Sequence, residues 1–281
     1  MASIGSFVLH GIARLNAGPH PGRARADAEL LLLHLLGRDK AWLMTHLDED
    51  LGANTAARFT ASIERRFNGE PVQYITGECE FYGLPFRVAR DVLIPRPETE
   101  HLVEKAIELA QRVHAPRIVD VGTGSGCIAV ALAHALPQAL IKATDLSAAA
   151  LAVAEENGAR NGVEICFLRG DLLAPVGGEQ FDLIVSNPPY VPSKDSESLS
   201  IEVREYEPAT ALFAGNEGLD VYGRLIPASF DALVPGGFLL LEMGYGQSRA
   251  IAELLIRSGF EQAEFSQDLQ GIPRVACARR P

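Results

Sequence analysis

Cysteine is scarce in this 281-residue chain: Cys79, Cys127, Cys166 and Cys277 stand far apart and form no Cys-x-x-Cys pair. That spacing excludes a disulfide framework and a structural zinc site, so no metal is expected and the thiols are expected to be reduced, in the cytoplasm. Basic residues are outnumbered, 25 Lys and Arg against 36 Asp and Glu, giving a formal charge of −11. Gripping bare DNA or RNA takes clustered Lys and Arg, and no dense run is present, so no direct nucleic-acid contact is expected. Long apolar runs are also missing. "ELLLLHLLG" and "CIAVALAHALPQALI" are short or broken by His and Pro, which predicts no transmembrane helix and no membrane partner. The first residues, "MASIGSFVLHGIARLN", lack a basic stretch followed by an apolar one, so no signal peptide is expected. A G-x-x-x-x-G-K-[ST] sequence is absent, and with it a P-loop.

With 47 % hydrophobic residues the chain can bury a sizeable core. Residues 1–72 carry helical periodicity, with Gly37 a candidate C-cap, and predict a small helical bundle. Trp42 falls on an amphipathic helix as a core residue, and His34 and His134 lie on helical stretches as packing or surface residues. Residues 73–97, "QYITGECEFYGLPFRVARDVLIPRP", have Gly and Pro punctuation among aromatic and β-branched residues, which predicts a strand pair connecting two domains. From residue 98 to 281 strands and helices alternate: "RIVDVG", "LIKATDLS", "EICFLRGD", "FDLIVSNPPY", "GFLLLEMG" and a last strand region near "RVACARR". The spacing predicts an α/β domain with a doubly wound, mostly parallel, Rossmann-like sheet. Ligands of such sheets bind outside the carboxyl ends of the strands. The segments to weigh are therefore Asp120–Gly126, Asp145, Asp171 and Asn187.

"DVGTGSG" runs from Asp120 through Gly122, Thr123, Gly124 and Ser125 to Gly126. Its glycines permit a tight turn and close backbone approach to a ligand. The dinucleotide fingerprint would need Gly at position 127, where Cys127 stands. Asp145 ends the second strand, where a carboxylate can accept from both ribose hydroxyls. Asp171 ends the third; it can accept from an exocyclic adenine amine with Leu172 on the purine, or simply cap a helix. Together these strand ends resemble a class I S-adenosylmethionine-dependent methyltransferase over residues 98–281, with its seven-stranded sheet. The resemblance implies S-adenosyl-L-methionine as cofactor and S-adenosyl-L-homocysteine as product. It sets Asp120 and the glycine loop against the methionine part, Asp145 at the ribose, and Asp171 and Leu172 at the adenine, with Leu146 also among the cofactor-binding residues.

"SNPPY" then follows an apolar strand that two prolines must stop. An amide or aniline-type nitrogen is a weak nucleophile, because its lone pair is delocalised. A site that methylates one must hold the NH2 by its hydrogens. The side-chain carbonyl of Asn187 can accept one hydrogen bond and the backbone carbonyl of Pro188 another. Pro188 and Pro189 fix that backbone, and Tyr190 can stack on the planar group. The motif resembles the [Asn/Asp/Ser]-Pro-Pro-[Tyr/Phe/Trp] signature of amino-methyltransferases, which serves both nucleobase amines and glutamine amides. Asn187 would border cofactor and acceptor alike.

"EPVQYITGECEFYGLPFRVARDVLIPRPETE", "DVGTGSGCIAVALA", "VSNPPYVP" and "EYEPATALFAGNEGLDVYGRLI" resemble the HemK/PrmC family of protein-(glutamine-N5) methyltransferases, over nearly the whole chain. The resemblance implies that the partner is a peptide chain release factor, methylated on the glutamine of its Gly-Gly-Gln loop. A sister family acting on a ribosomal protein reads closer to Val-Pro-Arg-Ser where this chain has "IPRPETE", which favours release factors. Alternatives are ribosomal-protein glutamine methylation, N6-adenine methylation of nucleic acid, and a non-catalytic protein retaining the fold. Residues 1–72 would hold a second surface of the factor, and residues 191–218 would flank the acceptor loop. Arg96, Glu98 and Thr99 can shape the pocket or be structural. Glu242 and Tyr245 follow a strand and read equally well as a loop.

Overall fold

The computed structural model describes residues 3–268 and 270–281, so the first two positions of the segment 1–72, and position 269, lie outside them. The chain divides into two compact units, Met1–Glu78 with Leu199–Tyr206, and Cys79–Ser198 with Glu207–Pro281. Among the described residues no helix is long and apolar enough to cross a membrane.

The first unit is helical: α1 (Ile4–Asn16), α2 (Ala24–Leu36), α3 (Lys40–Thr45), α4 (Ala53–Phe67) and α5 (Val72–Thr76). Local chemistry sets the ends. Ser3 caps α1, Asp39 caps α3 through the Trp42 amide, and Gly37, left-handed, ends α2 as expected. Residues spaced three and four apart, such as Ile4 and Val8 on α1 and Phe59 and Ile63 on α4, bury one shared core with Leu31 and Leu32 of α2. Trp42 packs at its margin and stacks on His46. Arg66, 2 % exposed, donates to Asp27 Oδ2 at 2.7 Å, Glu202 Oε1 at 2.6 Å and the Glu70 carbonyl at 3.1 Å. Two carboxylates and a carbonyl are the compensation a buried guanidinium needs. They hold the segment 199–206 within this unit. One expectation is corrected. Residues 73–76, expected in the strand pair, belong to α5, which Pro71 precedes and left-handed Gly77 ends, with Val72 and Tyr74 buried.

The second unit opens with a hairpin, β1 (Glu78–Phe81) and β2 (Leu84–Arg87). Tyr82 and Gly83 both take positive φ, 52° and 71°, as a two-residue turn between right-twisted strands requires. Then follow α6 (Glu100–Ala110), β3 (Arg117–Val121), α7 (Cys127–Ala135), β4 (Leu140–Asp145), α8 (Ala148–Arg160), β5 (Cys166–Arg169) and β6 (Phe181–Ser186). Residues 191–218 carry a 3-10 turn, then α9 (Ile201–Tyr206), which belongs to the first unit, and α10 (Ala209–Leu212). The chain ends with α11 (Asp220–Ala232), β7 (Leu233–Glu242), α12 (Ser248–Arg257), β8 (Glu264–Gln267) and β9 (Pro273–Arg279). The sheet has seven strands in the order β5-β4-β3-β6-β7-β9-β8. It is parallel from β5 to β7, and β9 runs antiparallel to both its neighbours. Successive residues of the central strands alternate between two cores. Ile118, Leu183, Val185 and Leu240 belong to one, and Val119, Ile184, Leu239 and Leu241 to the other, so both faces are covered. Strand order reverses between β3 and β6. That switch point opens a crevice at their carboxyl ends, where Asp120 and Asn187 lie.

Candidate active site

Asp120, on β3, is wholly buried. Thr123 Oγ1 donates to its Oδ2 at 2.6 Å, while Oδ1 has no hydrogen-bond partner. Burial pushes the carboxyl up to about 7; the Thr123 hydroxyl and the Ala129 amide pull the other way, and the Asp145 charge adds to the rise. A buried acceptor without a donor is a cost that a cationic ligand group can offset.

The glycine loop explains itself residue by residue. Gly126 has φ of 81°, and a Cβ there would meet Ala154 Cβ at 3.0 Å, so this glycine serves helix packing. Gly122 and Gly124 also need positive φ, but the space before them is open. Thr123 and Ser125 have buried side chains, so the loop offers a ligand mainly its backbone. Its amides are partly consumed: Gly122 and Thr123 donate to the Thr144 carbonyl at 2.9 and 3.0 Å, and Gly124 to Asp145 Oδ2 at 2.9 Å. A phosphate-gripping loop keeps such amides free. With those three amides taken, this loop lacks that feature. Buried Asn157 braces it, donating to the Ser125 and Arg87 carbonyls at 2.8 and 3.0 Å and accepting from the Arg87 amide at 2.7 Å.

Asp145 is half-buried at the end of β4. Its Oδ2 holds the Gly124 amide and its Oδ1 the Ser147 amide at 2.8 Å, leaving each oxygen one acceptor direction. Leu146 beside it is 64 % exposed, an apolar side chain in the open. Asp171 is exposed and ion-paired with Arg224 of α11. The 3-10 turn at Ala174–Val176 has no side-chain cap, so the capping role weighed for Asp171 is not what its side chain does. Leu172 follows with φ of 50°, a left-handed conformation uncommon for a leucine.

Asn187 leaves the end of β6 half-buried, and Pro188 behind it is buried. The Asn187 amide nitrogen donates to Thr99 Oγ1 at 3.1 Å. Thr99 Oγ1 donates in turn to Glu242 Oε2 at 2.6 Å, and the Tyr190 hydroxyl to Glu242 Oε1 at 3.3 Å. The Tyr222 hydroxyl donates to the Glu242 carbonyl at 2.7 Å. Glu242 is 2 % exposed, and burial pushes its carboxyl up to about 7, with Thr99 and Tyr190 lowering it, Glu98 raising it, and Arg274 lowering it. Burial likewise pushes the Tyr190 phenol well above its usual range, so it stays protonated. Gln247 clamps the motif from outside, donating to the carbonyls of Tyr190 at 3.0 Å and Gly218 at 3.3 Å. Gly218 is obligatory, since a Cβ there would lie 2.2 Å from the Tyr190 carbonyl oxygen. Val191 bonds Leu212 and Ala214 in a parallel bridge. Arg96 pairs with buried Glu207 at 2.6 Å, which anchors the "IPRPETE" loop.

Sequence reasoning missed Gln247, Asn157 and Arg224 and left Glu242 undecided. Single polar residues carry no spacing signal, and their partners lie 57, 70 and 53 residues away in the cases of Gln247–Tyr190, Asn157–Arg87 and Arg224–Asp171. Among the described residues no group of three His, Cys, Asp or Glu side chains is placed to hold a metal ion.

Residues 9–77 match the family described as PrmC N-terminal domain, and residues 99–204 match the methyltransferase small domain. The release factor glutamine methyltransferase of Koribacter versatilis is 45% identical over 258 residues, 92% of this chain and 91% of that one. The chain belongs to the release factor glutamine methyltransferase family. The family's member from Deinococcus radiodurans is 44% identical over 98% of this chain and 97% of its own length. Solved structures share the fold at lower identity. A Pyrococcus furiosus methyltransferase superposes with a TM-score of 0.55 at 18% identity, covering 82% of this chain and 99% of that one. The T. thermophilus 16S rRNA N2 G1207 methyltransferase, in complex with AdoMet and guanosine, gives 0.56 at 19%, covering 73% of this chain and 50% of that one. The chain is thus an S-adenosylmethionine-dependent methyltransferase by family.

Proposed function

We propose that this chain methylates the side-chain amide nitrogen of the glutamine in the Gly-Gly-Gln loop of peptide chain release factors, in the cytoplasm. The observation that carries the reading is Asn187. Its NH2 is engaged by Thr99, and its Oδ1 accepts no hydrogen bond among the described residues, at the switch point where an α/β sheet binds ligands.

The residues around it fit S-adenosyl-L-methionine. Asp120 Oδ1 is the free acceptor for the amino group, the backbone at Gly122–Gly126 faces the methionine chain, and Asp145 has one lone pair on each oxygen for the ribose hydroxyls. Leu146, Asp171 and Leu172 take the adenine, Arg224 being the partner that Asp171 must share. When bound, S-adenosyl-L-methionine supplies a methyl group on a sulfonium and leaves as S-adenosyl-L-homocysteine. Asn187 Oδ1 and the Pro188 carbonyl accept the two hydrogens of the acceptor amide, which turns the nitrogen lone pair out of the hydrogen-bonding plane. Tyr190, its hydroxyl tied to Glu242, supports the planar group. Positive charge building on nitrogen meets two fixed oxygens, and the N-protonated methylamide, a strong acid, then releases one proton to water, so catalysis is orientation and electrostatics without a strong base. A site built on Asn187–Tyr190 contacts one acceptor side chain and little backbone. Residues 1–72 would then hold a second surface of the factor and raise the local concentration of its loop. Residues 73–97 serve as the connection and residues 98–281 as the catalytic part.

The test is Asn187→Ala. Turnover and kcat/KM should fall together by roughly 10²-fold, the scale of removing one oriented group from a transition state. Cofactor affinity should change little, and near-wild-type turnover would contradict the role.

A further inference from the structure

Asn187 by itself does not determine which way its amide faces. Oxygen and NH2 are nearly isosteric, and a half-turn about the last bond exchanges them. Only one orientation offers a carbonyl to an acceptor amide. What selects it must be a neighbour whose own hydrogen-bonding sense is fixed.

Glu242 is that neighbour. Burial pushes its carboxyl up to about 7, so the sense is fixed in the ionised form, above that pH, where a carboxylate only accepts. It is 2 % exposed, as is Thr99, so water does not compete at either. The single hydroxyl hydrogen of Thr99 goes to Glu242 Oε2 at 2.6 Å. With that hydrogen spent, Thr99 Oγ1 can only accept, and what it accepts is the Asn187 NH2 at 3.1 Å. The second carboxylate oxygen takes the Tyr190 hydroxyl, and the Glu242 carbonyl takes Tyr222. One carboxylate therefore references both ends of the Asn-Pro-Pro-Tyr motif, and no ion pair to it forms among the described residues. The polarity of the chain runs one way, from Asn187 through Thr99 to Glu242.

We infer that Glu242 and Thr99 are positioning residues for methyl transfer, forming a one-way relay that turns the Asn187 carbonyl toward the acceptor amide. This rests on the proposed role of Asn187. It also assigns a use to a buried carboxylate at the end of β7 and to a threonine of the "IPRPETE" loop.

The test compares Thr99→Val, which keeps the shape and removes the hydroxyl, with Thr99→Ser, which keeps the hydroxyl. Each is made in the wild-type and Asn187→Ala backgrounds of the full chain, with Glu242→Leu as a second route. Thr99→Val should lower kcat on a release factor at least about tenfold, with KM and cofactor affinity within about twofold. Thr99→Ser should retain most of the rate. In the Asn187→Ala background Thr99→Val should cost nothing further, because the group it orients is gone. A separate readout needs no acceptor: the Asn187 side-chain NH2 resonances, identified by their loss in Asn187→Ala, should shift in Thr99→Val and hardly in Thr99→Ser. Wild-type kcat in Thr99→Val, the same fold-loss in both backgrounds, or unmoved resonances would overturn the relay. If release factors prove not to be the acceptor, the resonances still decide it, so the two failures are distinguishable.

Discussion

Asp145→Ala removes the one side chain that both tethers the glycine loop and faces the proposed ribose. Its oxygens hold the Gly124 amide at 2.9 Å and the Ser147 amide at 2.8 Å. Each keeps a lone pair for one ribose hydroxyl. A charge-assisted hydrogen bond contributes about 1.5–3 kcal/mol, and half-burial argues for the low end. Losing two gives about 3 kcal/mol, or roughly a hundredfold weaker cofactor binding. The freed amides lie near the surface, where water replaces the carboxylate, so stability should fall by only about 1–2 kcal/mol. Asp145→Asn is the sharper variant. Its NH2 must confront the Gly124 or the Ser147 N–H, donor against donor, so the loop should lose at least as much stability as in the alanine variant. Calorimetric titration with S-adenosylmethionine, beside urea unfolding without it, separates the two roles. Unchanged affinity in folded Asp145→Ala protein would refute the ribose contact. Lost affinity wholly matched by lost stability would reduce Asp145 to a tether.

Two further perturbations probe the rest of the site. Asp120, raised to about 7 mainly by burial, must ionise to meet a cationic amino group, so cofactor affinity should rise between pH 6 and pH 8, while Asp120→Asn should bind weakly and without that slope. Without cofactor the sign for stability is opposite: the folded state keeps a proton that the unfolded chain releases, so Asp120 lowers stability as pH rises from about 4 through about 7, by at most about 4 kcal/mol, and urea unfolding of Asp120→Asn should show a smaller decline, the remainder coming from Glu242, which burial also raises to about 7. Gly126→Ala combines φ of 81° with a 3.0 Å contact to Ala154 and should cost about 2–3 kcal/mol of stability, whereas Gly124→Ala, with open space before it, should cost about 1 kcal/mol and show instead in cofactor affinity; equal melting temperatures would contradict the division.

The alternation of apolar strands with helices made the parallel sheet legible, because burial on both faces leaves near-continuous runs such as Phe181–Val185. The glycine loop and Asn187 were legible because Gly and Pro restrict the backbone locally. The short elements were not. α5 lies in a stretch whose aromatic and β-branched residues read as strand, and burial of Val72 and Tyr74 overrode that propensity. β8 is a four-residue edge strand with a bulge beside Gln267, too short to show a period. Asp171 reads the same whether it caps a turn or meets Arg224. Glu242 looked like a strand-end residue because the threonine that gives it a role lies 143 residues earlier.

Incubating the purified chain with S-adenosylmethionine and a folded release factor, then sequencing the factor by tandem mass spectrometry, tests the central claim most directly. One added methyl should appear on the side-chain amide of the Gly-Gly-Gln glutamine, and a short peptide with the same three residues should be a poor acceptor. An unmodified release factor, with the methyl found on a nucleic-acid adenine or on a ribosomal protein's glutamine, would contradict it.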